Sequence, residues 1–210
     1  SVACAVSSDG IGWSMTHMPF VDQFVEHCSF LKHQGKYIIH SQSFPGHEWS
    51  DCYLEGGTAG GRSGVAHVSR DFDHWPDLWR WSFTLPEPAR KEHRGSELPY
   101  DQVHLGIGAT SLGNVCVGLY GIWHGREAGC DFSTISGDLG FVVSTDGERF
   151  VEPSATPGRP FIHRAEAVPE DDRDRKANTI LCQGNGIVQT NKETKVYFGR
   201  WRNAGEDEQI

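Results

Sequence analysis

No apolar run in this chain of 210 residues approaches the roughly 18 residues that a membrane-spanning helix needs, and helical periodicity is absent nearly everywhere. A helical bundle and a membrane partner are thereby excluded, and a soluble all-β body is expected. Basic residues are the minority, 19 Lys and Arg against 28 Asp and Glu, for a formal charge of −9. The basic footprint that phosphate binding requires is missing, so no nucleic-acid partner is expected. The six cysteines (Cys4, Cys28, Cys52, Cys116, Cys130, Cys182) form no CxxC pair, which argues against structural zinc. Four of them sit inside apolar strand runs, where a free thiol acts as a small hydrophobe; a disulfide framework is not indicated. Eleven histidines show neither HExxH nor another ligand spacing, so no metal and no cofactor is expected. No signal peptide is visible, and compartment stays open between cytoplasm and export.

What the chain does contain is a phrase written three times: Val6-Ser7-Ser8-Asp9 leading to Trp13, Val68-Ser69-Arg70-Asp71 leading to Trp75, and Val143-Ser144-Thr145-Asp146 leading to Phe150. Such recurrence marks a repeat architecture. A β-branched run ends at Ser, Asp turns the chain, and an aromatic opens the next strand. Asp9-Gly10 and Asp146-Gly147 are good turn signals, while Asp71-Phe72 departs and weakens the middle copy. Asp9, Asp71 and Asp146 are assigned no chemistry. A second phrase, strand–turn–strand, recurs at Phe24–Phe30 with Gly35–His40, at Val103–Thr110 with Gly113-Asn114 and Val115–Trp123, and at Gly186–Gln189 with Thr190–Glu193 and Thr194–Trp201. Together the phrases predict four-stranded antiparallel meanders, the blades of a β-propeller. The units divide as residues 1–20, the end of one blade; 21–90, a blade; 98–160, a blade; and 177–210, the first half of a blade. With 25 Gly, 10 Pro and 11% aromatics, composition agrees. Propellers close with about four to eight blades, so the chain is expected to be an internal piece of a longer protein. Trp75, Trp79 and Trp81 are expected to pack between blades, and the charged run 166–176 to be a solvated loop.

In a propeller the first strand of each blade lines a central funnel, so polar residues there are the ones to weigh. Asp22, Glu26 and His27 open the first whole blade, Asp101, Gln102 and His104 the next, and Gln183 and Asn185 the last. Each alone reads as a strand-end cap. As a set they point to a ligand-holding funnel, with Trp123 and His124 as subsite residues able to stack on sugar faces or bond hydroxyls. Inter-blade packing is an equal reading for Trp123.

The segment Glu26–Leu31 followed by Gly35-Lys36-Tyr37-Ile38-Ile39 resembles the part of glycoside hydrolase family 32 where a Glu-Cys-Pro-Asp motif precedes a Gly-Lys-Tyr/Trp strand. Tyr100–His104 with Gly118–Trp123 resembles a later blade of that family, and Ser136–Gly147 is similar to family-32-like bacterial proteins. The resemblance implies a five-bladed propeller like those of families 32 and 43, hydrolysing glycosidic bonds with carboxylates in the funnel. It implies Glu26 as general acid, Asp101 as a second carboxylate, and Asp22, His27, His104, Trp123, His124, Gln183 and Asn185 as substrate contacts. It also implies His104 as the candidate should a family-43-type cation be held. The chain departs from the family where His27 follows the Glu and no Pro-Asp follows Cys28. No Arg-Asp-Pro tripeptide occurs, so the family's nucleophile is expected upstream of residue 1. The alternative is a non-catalytic propeller binding carbohydrate or a protein. The Ser-x-Asp-Gly turns also suggest a sialidase-like propeller, weakened because only Arg200 and Arg202 offer an arginine cluster for a substrate carboxylate.

Overall fold

The computed structural model describes residues 4–15, 29–42, 63–75, 80–83, 101–124, 136–153, 159–166, 179–181 and 186–201, with backbone alone for Asp101, Gln102, Leu105, His124, Leu181 and Trp201. The described residues are strands and turns, without a helix, so none is long and apolar enough to cross a membrane. A four-stranded antiparallel sheet is formed in chain order by β3 (Ser29–His33), β4 (Lys36–Gln42), β5 (Gly64–Ser69) and β6 (Arg80–Phe83). A five-stranded sheet joins β7 (Asp101–Leu112), β8 (Val115–His124) and β9 (Ser136–Ser144) to β10 (Thr179–Leu181) and β13 (Gly199–Trp201), in the order β13-β10-β9-β8-β7. Two hairpins complete the set, β1 (Ala5–Val6) with β2 (Ser14–Met15), and β11 (Ile187–Gln189) with β12 (Thr194–Val196).

Turn chemistry sets the hairpins. His33 pairs with Lys36 across Gln34 and Gly35, both at positive φ (48° and 73°), the type I′ geometry whose twist matches the flanking strands. Leu112 pairs with Val115 across Gly113-Asn114, where only Gly113 has positive φ (74°), the type II′ arrangement with Gly first. The first strand of the meander runs on to His33, past the expected end at Phe30, because Leu31 and His33 alternate inward with Ser29. The expected strand Thr194–Trp201 is divided. Its first part pairs with β11, while residues 199–201 leave that hairpin and pair with β10 in the larger sheet.

The Ser-x-Asp phrase folds the same way three times. Ser7, Ser69 and Ser144 hydroxyls accept the N–H groups two and three residues on, at 2.8–3.3 Å. Asp9 and Asp146 Oδ1 each accept the next two N–H groups at 2.8–2.9 Å, and Asp71 accepts that of His74 at 2.8 Å. The residue after Asp is left-handed in every copy: Gly10 (76°), Phe72 (69°) and Gly147 (74°). The middle copy, expected to be weakened, is therefore the same turn with a costly residue in the glycine position. Phe72 makes edge-on ring contacts with Phe30, Tyr37 and Trp75 at centroid distances of 5.3–6.2 Å, which offset that strain. Trp75 packs with Ile39, Tyr37 and Phe72 of its own sheet rather than at the seam with the larger sheet.

The main core lies between the two large sheets: Leu31, Ile38, Ala66 and Phe83 meet Val103, Ile107, Tyr120, Ile122, Val142 and Phe150. A second cluster on the far face of the five-stranded sheet joins Leu119, Leu139 and Ile180 to Ile187. Cys116 is buried and unbridged, its thiol pushed by burial up to about 11.

Candidate functional site

Of the expected funnel strands, β7 is the one described along its whole length. The register of the larger sheet forms adjacent rows: Asp101, His124 and Ser136; Gln102, Trp123, Gly137 and Thr179; Val103, Ile122 and Asp138. One rim of one sheet thus carries Asp101, His104, Trp123 and His124. Asp22, Glu26, His27, Gln183 and Asn185 lie outside the described residues, and Asp101 and His124 are described by backbone alone.

His104 and Trp123 form a tilted ring pair, centroids 3.9 Å apart and planes at 54°, with only 7% and 6% of their surfaces exposed. Two glycines make room for this pair and for the strand that bears it. A Cβ on Gly121, directly across from His104, would stand 2.8 Å from the His104 carbonyl oxygen. Just past His104 the register slips, with His104 on Gly121 but Ile107 on Tyr120. Gly106 in that bulge has φ 70°, and a Cβ there would lie 2.7 Å from the Ser41 backbone. The bulge lets β7 lean on β4, as bulges do where a strand must re-aim its side chains.

Three further polar groups in and between the two sheets were not singled out by sequence. Asp138 is a buried carboxylate whose Oδ2 accepts from Arg164 Nη1 at 2.7 Å and whose Oδ1 accepts the Arg164 N–H at 2.7 Å, with His163 Nε2 3.9 Å away. Its signal was a lone charge inside the apolar run Gly137–Val143. Tyr120 donates its hydroxyl to Glu152, with the ring seated over Gly140. His40 is fully buried at the seam, its Nδ1 3.1 Å from Ser82 Oγ and its ring edge-on to Phe150 at 5.3 Å. Burial lowers His40 to about 4, against the Gly147 backbone and the Asp146 and Glu148 carboxylates, which favour the charged ring. Among the described residues no group of three or more His, Cys, Asp or Glu could hold a metal ion.

The seam that positions β7 is polar at its edge. Ser29 donates to the Ile107 carbonyl, and His33 Nδ1 is 2.8 Å from Ser111 Oγ while its Nε2 is 3.2 Å from the Thr145 carbonyl. Lys36 donates to the Asp146 carbonyl (3.0 Å) and to Glu148 Oε1 (2.6 Å), and Arg80 donates to Glu148 Oε2 (2.8 Å). At Asp146, burial raises the carboxyl but the Arg149 and Glu148 N–H groups, Ser144 and Lys36 outweigh it, so its pKa is lowered.

The fold defines an all-β protein of β-propeller blades, here a four-stranded antiparallel sheet packed against a five-stranded one in which β9 and β10 pair in parallel rather than in the expected antiparallel meander. Its architecture is similar to that of the Bombyx mori GH32 beta-fructofuranosidase BmSUC1 (16% identity, TM-score 0.50, covering 83% of this chain and 29% of that one). It is also similar to a glycosyl hydrolase from Bacteroides ovatus (16%, TM-score 0.52, covering 94% and 54%). A third likeness is to a structure described as "The GH130 family of mannoside phosphorylases contains glycoside hydrolases that target beta-1,2 mannosidic linkages in Candida mannan" (15%, TM-score 0.52, covering 97% and 58%). The chain spans about a third to under two thirds of the length of these proteins. At such identities the likeness is one of fold. No protein-family model matches the sequence, and no curated protein is significantly similar to it.

Proposed function

We propose that this chain belongs to a glycoside-hydrolysing propeller, with Glu26 as general acid, Asp101 as a facing carboxylate, and His104, Trp123 and His124 shaping a sugar site. The observation that carries the proposal is the contact of Ser29 with the Ile107 carbonyl. It ties the start of β3 to β7 three residues past His104. Glu26 stands three residues before Ser29 in the sequence. The fold likeness to propellers described as glycosidases supports the same reading.

Hydrolysis needs two carboxyl groups flanking the scissile bond, one protonated to release the leaving oxygen and one ionised as nucleophile or base. A general acid stays protonated near neutrality through desolvation or a neighbouring carboxylate. Asp22, His27, Gln183 and Asn185 then supply hydroxyl contacts. The test is turnover by the intact protein on chromogenic glycosides, fructans and β-1,2-mannosides, each with and without inorganic phosphate. Glu26→Gln is expected to lower kcat by about 10²–10⁴ on substrates with poor leaving groups, with ligand binding retained. Near-wild-type turnover of that variant rejects the acid role. Oligosaccharide binding with no product from any substrate points instead to a binding propeller.

A further inference from the structure

The ring pair of His104 and Trp123 depends on a missing side chain between them. His104 pairs with Gly121 and Gln102 with Trp123, so the two rings belong to diagonal neighbours on one face of the β7–β8 hairpin. Diagonal neighbours stand about 7–8 Å apart, a gap that aromatic side chains can cross. Gly121 lies in that gap, and a Cβ there would already be 3.2 Å from His104 Cβ. The indole and the imidazole close over the glycine to a centroid distance of 3.9 Å. The backbone just past His104 is held from the other sheet as well. Gly106, at φ 70° in the register slip, would press a Cβ to 2.7 Å from the Ser41 carbonyl group of β4. The next residue, Ile107, accepts the hydroxyl of Ser29 from β3. His104 is thus fixed at its ring by β8 and at its backbone by β3 and β4.

Trp123 was expected to stack on a sugar. At 3.9 Å the imidazole takes an indole face at van der Waals distance, the place such a sugar ring needs. We propose that Trp123 is a positioning residue: with Gly121 and Gly106 it holds the His104 imidazole in place, and His104 makes the hydrogen bond to a sugar hydroxyl. The inference rests on the sugar site proposed above and assigns the roles within it. A ring held before the ligand arrives loses little rotamer freedom on binding, a gain of roughly three- to tenfold in affinity.

Two measurements on the intact protein test this. Protons over an indole face are shielded by its ring current. In histidine-labelled protein the His104 ring protons, assigned by their loss in His104→Gln, are expected upfield of those of free histidine. Trp123→Leu is expected to abolish that shift and Trp123→Phe to keep part of it. The second measurement is binding of chromogenic glycosides, fructans and β-1,2-mannosides. Trp123→Leu is expected to weaken it roughly three- to tenfold, and Trp123→Phe by under about twofold. In a His104→Ala background Trp123→Leu is expected to add nothing, since a residue acting through another is non-additive with it. Equal losses with and without His104 mean direct stacking on Trp123 and overturn the proposal. Wild-type resonances that lack the upfield shift overturn it outright, whether or not the variants keep the cooperative unfolding measured alongside. Binding of none of these glycosides rejects the sugar site alone, because the resonances still decide whether the indole holds the imidazole.

Discussion

The turns at Ser7–Trp13 and Ser144–Phe150 share their backbone hydrogen bonds almost to 0.1 Å, yet Phe150 is 4% exposed and Trp13 64%. Identical local chemistry thus yields a core residue in one copy and a surface residue in the other. The difference comes from the second sheet. Phe150 sits in the main core with His40 at its edge, and its N–H donates to the Ser82 carbonyl at 2.8 Å. A turn is therefore specified by a few neighbouring residues, and its contribution to stability by what packs on it.

Truncating the two aromatics tests that contrast most strongly. Phe150→Ala is expected to cost about 3–5 kcal/mol, whereas Trp13→Ala is expected to stay within about 0.5 kcal/mol, both read by urea unfolding at low protein concentration. Equal losses would break the comparison. Acid sharpens it next. His40 is neutral in the folded protein to about 4, while the unfolded ring takes a proton near 6.5. The unfolded state therefore binds more protons between these values, so this stabilisation is complete above pH 6.5 and drains as pH falls to about 4. The loss is on the order of 3 kcal/mol, and His40→Gln is expected to flatten that part of the unfolding profile. Smallest is the glycine pair. Gly10→Ala carries only the left-handed backbone cost of about 1 kcal/mol. Gly147→Ala adds a Cβ 2.9 Å from Ile38 Cδ1, and thermal melts should show it the more costly of the two.

Much of the blade pattern was legible in the sequence. The Gly113-Asn114 hairpin, the three Ser-x-Asp turns and the β-branched strands before them depend on contacts within a few residues. The middle turn was misjudged because Phe72 is a poor residue for positive φ, and the rings that hold it, Phe30 and Tyr37, lie on other strands. Of the candidate site, His104 and Trp123 were both singled out in the sequence, and their rings do meet. The engagement of Asp138 by Arg164 was not, since nothing local distinguishes a strand carboxylate that finds an arginine 26 residues on.

The amino-acid order alone determined where the chain turns and which residues alternate along strands, because those choices are decided by backbone sterics and short-range hydrogen bonds. Tertiary structure alone decided which aromatic enters the core, which strand residues 199–201 join, and which histidine loses its charge. Each of these depends on desolvation by groups distant in sequence, as where His33 meets Thr145 across 112 residues, and no local pattern encodes that meeting.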